Sequence, residues 1–85
     1  MKERFEFTKY AELQIEERQI SREDVLDTLR SPGQTVVGKK GRKIAQKKLD
    51  REGEKGLLRV IHEEKAGTKI VITFYWTSKI EKYWR

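Results

Sequence analysis

The stretch Lys69-Ile70-Val71-Ile72-Thr73-Phe74-Tyr75-Trp76 decides the fold. β-Branched and aromatic residues fill it, and those side chains fit a pleated surface. Ile70, Ile72, Phe74 and Trp76 alternate with Val71, Thr73 and Tyr75, so period-2 geometry gives apolar groups to both faces. A strand that is apolar on both faces belongs inside a sheet, and this one is expected to be central.

Working backwards, Ala66-Gly67 is a turn, and Leu57 to Glu63 is the strand before it. Asp50 to Gly56 is a polar, glycine-containing loop. Arg42 to Leu49 is the return strand of a hairpin that starts at Thr35-Val36-Val37 and turns at Gly38-Lys39-Lys40-Gly41. Hairpin linkage makes the sheet antiparallel. Upstream, Thr8 is an N-cap for a helix whose Ala11, Ile15 and Arg18 recur at helical spacing, and which ends near Gln19. Ser21 caps a second helix, with Glu23 and Asp24 in its first turn, where the helix dipole favours acids. Val25, Leu26 and Leu29 form its apolar stripe, and Pro32-Gly33 stops it. Downstream, Thr77-Ser78 caps a short helical turn through Ile80, Tyr83 and Trp84. The expected architecture is α+β in the order ααββββ. Two N-terminal helices pack on one face of a curved four-stranded antiparallel sheet.

Eighty-five residues suit one domain. Charged residues make up 40% and apolar residues 35%, a balance close to that of disordered chains. The aromatic residues and the clear periodicities favour a folded domain. Cysteine is absent, which removes disulfides and thiolate metal sites and fits a reducing compartment. With no long apolar run, the chain is expected to be soluble and cytoplasmic.

The charge is focused. Lys39, Lys40, Arg42, Lys43, Lys47 and Lys48 lie between Gly38 and Leu49 with no acid among them, and they match the formal net charge of +6. A basic patch beside a neutral remainder points to a polyanionic partner such as RNA. The plainer reading is a solvated hairpin rich in lysine.

His62 is the single histidine, and alternate apolar neighbours make it a core-edge residue rather than a base. No spacing suits zinc or calcium, and no cofactor is expected. Arg59 interrupts the apolar pattern of Leu57 and Ile61. A buried guanidinium needs an acid or a polar concavity. Period-2 geometry puts Arg42, Ile44, Gln46 and Lys48 on one face of their strand and Lys43, Ala45, Lys47 and Leu49 on the other. Strand pairing can bring Arg59, Tyr75 and this basic set onto one concave surface, with Lys79 beyond it. RNA carries its own nucleophile, the 2′-OH. A ribonuclease therefore needs only positioning, one proton acceptor and charge stabilisation, which Lys, Arg and Tyr supply without metal.

Thr8 to Ser21, TKYAELQIEERQIS, resembles the opening motif of a family of short bacterial and archaeal domains of unknown function. That motif runs Lys-His-Ala-x-x-Arg-Ile-x-Glu-Arg-x-Ile-Ser. The resemblance continues through Val25, Leu29, Pro32, the segments 41–45 and 58–60, and Val71 to Tyr75. Tyr10 stands where the family has its histidine and Gln14 where it has its first arginine; Arg18 is retained. The family is distantly similar to the BrnT and RelE toxins of toxin–antitoxin pairs. The resemblance implies a single RelE/BrnT-like domain over residues 1–85. It implies metal-independent cleavage of RNA, often mRNA on the ribosome, and a partner antitoxin that is acidic. Catalytic candidates are then Arg59, Tyr75 and Lys43. The candidates for holding RNA are Lys39, Lys40, Arg42, Lys43, Lys47, Lys48 and Lys79. The rival readings are a nucleic-acid-binding module without turnover and a protein-interaction domain that uses an exposed strand edge.

Overall fold

The structure, a computed structural model, describes residues 4–85. Its elements are β1 (Arg4–Phe7), α1 (Lys9–Arg18), α2 (Arg22–Arg30), β2 (Gln34–Val37), β3 (Lys43–Lys48), β4 (Leu57–Lys65), β5 (Thr68–Thr77) and α3 (Ile80–Tyr83). The α+β class is as expected. The sheet, however, has five strands in the order β1-β5-β4-β3-β2, and β1 runs parallel to β5. The expectation of four antiparallel strands is thereby corrected. Phe5 and Phe7 alternate over only four residues, too short a run to stand out beside the helix that follows. Parallel pairing needs a long crossover, and here most of the chain supplies it.

Caps fix both N-terminal helices. The Thr8 hydroxyl accepts from the Ala11 N–H at 3.1 Å, and Ser21 accepts from the Asp24 N–H at 3.1 Å. Helix α1 ends at Gln19, whose φ of 53° turns the chain toward α2. Helix α1 packs on β5, and α2 on β4 and β3. Ala11, Ile20, Val25, Leu29, Ala45, Leu58, Val60, Val71 and Phe74 form the core between helices and sheet. Fully burying a Val, Leu or Phe side chain contributes about 1.5–3 kcal/mol, so this layer carries the fold.

Strand β5 departs from simple alternation. His62 pairs with Val71 and Ile61 pairs with Thr73, which leaves Ile72 as an extra residue in a β-bulge. Val71 and Phe74, three apart, are therefore both fully buried in the helix-side core. The sequence pattern had put them on opposite faces. The central strand is β4, one position over from the expected β5.

Beyond Phe7, no strand among the described residues lies beside β5 on that flank. Gln14 of α1 closes the gap: its Oε1 accepts from the Thr73 hydroxyl at 2.7 Å and from the Phe74 N–H at 3.3 Å. Gln14 therefore joins helix to sheet. Tyr10 does not, and is 58% exposed.

Candidate functional site

The register of four strands lines up one polar row on the face away from α1 and α2. Gln34 pairs with Gln46, Gln46 with Arg59, and Arg59 with Tyr75. The last residues of the chain fold back over this row. Gln46 Nε2 donates to the Tyr83 carbonyl at 3.2 Å and to Gln34 Oε1 at 2.9 Å. Gln34 accepts from the Arg85 N–H at 2.8 Å and donates to its carbonyl at 3.0 Å. Trp84 settles over Gly33, where a Cβ would meet its ring at 2.7 Å, so any side chain there would displace the ring.

Arg59 is the centre of the row and is 8% exposed. Its Nε donates to Gln46 Oε1 at 2.6 Å, and a terminal nitrogen donates to the Tyr75 hydroxyl. The guanidinium carbon lies 4.0 Å from the Tyr83 ring centroid and 5.5 Å from that of Tyr75. Among the described residues no carboxylate forms an ion pair with it. The choice between an acid and a polar concavity is therefore settled: a neutral amide, a phenol and two aromatic faces hold the charge. Among the described residues no hydrogen bond engages its other terminal nitrogen.

The two tyrosines sit edge to face, with centroids 6.4 Å apart. Their acidities are pushed in opposite directions. Burial raises the Tyr75 hydroxyl above its ordinary value, against the lowering effect of Arg59. The hydrogen-bonding approach of the Tyr75 hydroxyl lowers Tyr83, helped by Lys82 and Arg59 and opposed by desolvation. A pair of this kind has one member that keeps its proton and one that gives it up more readily. The Lys82 Nζ lies 5.3 Å from the Tyr83 ring centroid, and Lys48 Nζ lies 4.7 Å from that of Trp84. Cations and aromatic rings thus interleave over this face.

The basic hairpin does not converge on the row as a set. Lys43 and Lys47 take the helix side of β3, where Lys47 pairs with Asp27 and Lys43 with Glu64 at 3.4 Å. Lys43 is therefore not brought to Arg59 and Tyr75. Arg42 lies beside Glu63, with 2.9 Å from its Nε to Oε1. Lys48 does reach the far face. Lys39 and Lys40 are exposed at a 3₁₀ turn, Lys39–Gly41, in which Lys40 takes a φ of 59°. With Arg42, Ile44 and Ile61 they line a depression of about 480 Å³. Lys79 is exposed at the other end of the molecule, beside Lys55 and Lys82, in a depression of about 440 Å³.

His62 lies on the helix side, away from the row, and is 2% exposed. Its Nδ1 has no hydrogen-bond partner among the described residues. Burial lowers its pKa below 6.5, and Lys69 and Lys43 add to the effect against Glu64. Among the described residues no cluster of His, Asp and Glu suits a metal ion, and no helix is long and apolar enough to cross a membrane.

No family model matches the chain, and neither a curated protein nor a solved structure matches it. Tyr83, Gln46 and Gln34 were not among the candidate site residues read from sequence. The sequence signal for Gln46 was its place on the Arg42 face of its strand. Tyr83 gave only the signal of an aromatic near the end of the chain.

Proposed function

We propose that the protein binds single-stranded RNA across the Arg59 face and cleaves it without metal, as a cytoplasmic RelE/BrnT-like toxin held in check by an acidic antitoxin. One observation carries this reading. Among the described residues Arg59 has no carboxylate partner, and it lies between two tyrosines whose acidities are pushed apart. In the reaction, the 2′-OH attacks the adjacent phosphorus and Tyr83, as phenolate, takes its proton. The bond from phosphorus to the 5′-oxygen breaks, and Tyr75 gives that oxygen its proton. Arg59 offsets the charge that builds on the phosphoryl oxygens. The products are a 2′,3′-cyclic phosphate and a 5′-hydroxyl. Lys48 and Lys82, each beside an aromatic ring, hold the flanking backbone and leave rings for stacking.

Incubation of the intact protein with end-labelled RNA in chelator, with and without ribosomes, tests the proposal. Fragments ending in a 2′,3′-cyclic phosphate support it. Intact RNA in both conditions rejects cleavage. A second reading, RNA binding without turnover, is favoured by the near-complete burial of Arg59. It predicts salt-sensitive binding with no fragments. The toxin role has its own readout: expression should arrest growth, and a neighbouring gene for a small acidic protein should relieve the arrest.

A further inference from the structure

Strand β2 ends the sheet on one side. It pairs Gln34 with Gln46, Thr35 with Ala45, Val36 with Ile44 and Val37 with Lys43. The Gly38 N–H bonds to the Arg42 carbonyl at 2.6 Å, which sets the phase of the ladder. Hydrogen-bonded and non-bonded pairs alternate in an antiparallel ladder. Gln34 and Val36 therefore turn their backbone groups toward β3, and Thr35 and Val37 turn theirs outward. No turn, loop or side-chain hydrogen bond among the described residues reaches the Thr35 or Val37 backbone.

Edges of this kind are commonly blunted by charge or proline. Gln34-Thr35-Val36-Val37 has neither, in a chain whose residues are 40% charged. Val37 is 82% exposed, against 58% for Tyr10 and 54% for Leu13. The opposite edge is protected: β1 carries Arg4 and Glu6, and Arg30 and Arg22 lie over Phe5 and Phe7. An open, neutral edge on β2 alone fits a surface kept for a partner strand.

Charge selects the partner. Exposed Lys39 and Lys40 follow β2, and no acid occurs from Ser31 to Leu49. An antiparallel second copy centred on Val36 would lay each Lys39-Lys40 pair beside the other copy's Pro32-Gly33, where no acid of that stretch offsets the charge. An extended segment with carboxylates at its ends supplies the missing countercharge.

We propose that the outer edge of β2 accepts an extended acidic segment of a partner protein as an additional strand. Main-chain bonds to Thr35 and Val37 would hold it, and carboxylates would lie beside Lys39 and Lys40. The inference does not depend on cleavage at Arg59.

The probe is a synthetic peptide with alternating Thr and Val at its centre and glutamates at both ends. Its control has the same centre with lysines at the ends. Hydrogen exchange of the intact protein should slow at the Thr35 and Val37 amides when the glutamate peptide is added, and that peptide should bind at least about tenfold more tightly. Lys39→Glu with Lys40→Glu, both at exposed positions, should reverse the preference. Val37→Pro removes an outward N–H that the ladder does not use, a change tolerated on an edge. It should lose binding with tryptophan fluorescence unchanged. Unaltered exchange at both amides, or equal binding of the two peptides, overturns the proposal. Concentration-dependent protection without peptide would assign the edge to a second copy, and protection by single-stranded RNA would assign it to nucleic acid; either result also overturns it.

Discussion

The Arg59 Nε donates to Oε1 of Gln46 at 2.6 Å, so a neutral amide on β3 meets the buried guanidinium of β4. An amide orients a guanidinium and leaves its charge intact. A carboxylate there would cancel the field on which the proposed phosphate binding depends. The same Gln46 holds the Tyr83 carbonyl, so one side chain positions both the cation and the strap that carries the second tyrosine.

The opposed acidities of the tyrosines would give the proposed cleavage a distinctive pH profile. Tyr83 must be deprotonated to act as base, and its lowered pKa places the rise in rate below pH 10.0. Tyr75 must keep its proton, and its raised pKa places the fall above pH 10.0. Tyr83→Phe should remove the rise and cost about 10²–10⁴ in rate, the usual worth of a positioned acid or base. Tyr75→Phe should remove the fall. Single-turnover cleavage across pH checks both, and an unchanged profile in Tyr83→Phe rules out its role as base.

In the proposed RNA complex, the side of the sheet that a lysine occupies decides whether it touches the strand. Lys48 lies on the Arg59 face over Trp84, whereas Lys47, next in sequence, is paired with Asp27 on the helix side. Lys48→Ala should weaken RNA binding and reduce the log–log salt slope by about 0.7, the value for one lost phosphate contact on a single strand. Lys47→Ala should leave the slope unchanged. Binding measured over a range of salt concentrations separates the two.

Gln14 and Tyr10 occupy neighbouring turns of α1 but differ in what they hold. Gln14→Leu strips the acceptor from the Thr73 hydroxyl and the Phe74 N–H. It should destabilise by about 1–3 kcal/mol, the cost of leaving buried polar groups unpaired. Tyr10→Ser alters a side chain at an exposed position and should stay within about 0.5 kcal/mol. Urea unfolding midpoints provide the comparison.

His62 should make the protein acid-sensitive. Burial and the nearby lysines hold its folded pKa below the ordinary 6.5, so the unfolded chain binds the proton more readily. Its contribution to stability is complete above pH 6.5 and is lost as pH falls from there through the folded pKa. His62→Leu should flatten this part of the stability–pH curve, as read by thermal melts between neutral and mildly acid pH. An unchanged slope would show that His62 does not titrate on unfolding in that range.

Local signals in the sequence determined the two N-terminal helices, their caps, the hairpins and the two faces of β3; the cap expected of Thr77-Ser78 is instead Lys79, which caps α3 with no side-chain bond. The Thr8 and Ser21 caps act within three residues, and the period of two along 42–49 follows from backbone geometry alone. The focused charge and the buried Arg59 were legible for the same reason. Tertiary structure alone decided the rest. The pairing of β1 with β5, the bulge at Ile72 and the return of Tyr83 over Arg59 join residues far apart in the chain, and no local periodicity records such contacts. The hairpin's cations were visible as one run, but alternation across the strand and pairing with Asp27, Glu63 and Glu64 divided them between two faces. Adjacency in sequence gives charges a common neighbourhood; only the register of the sheet gives them a common side.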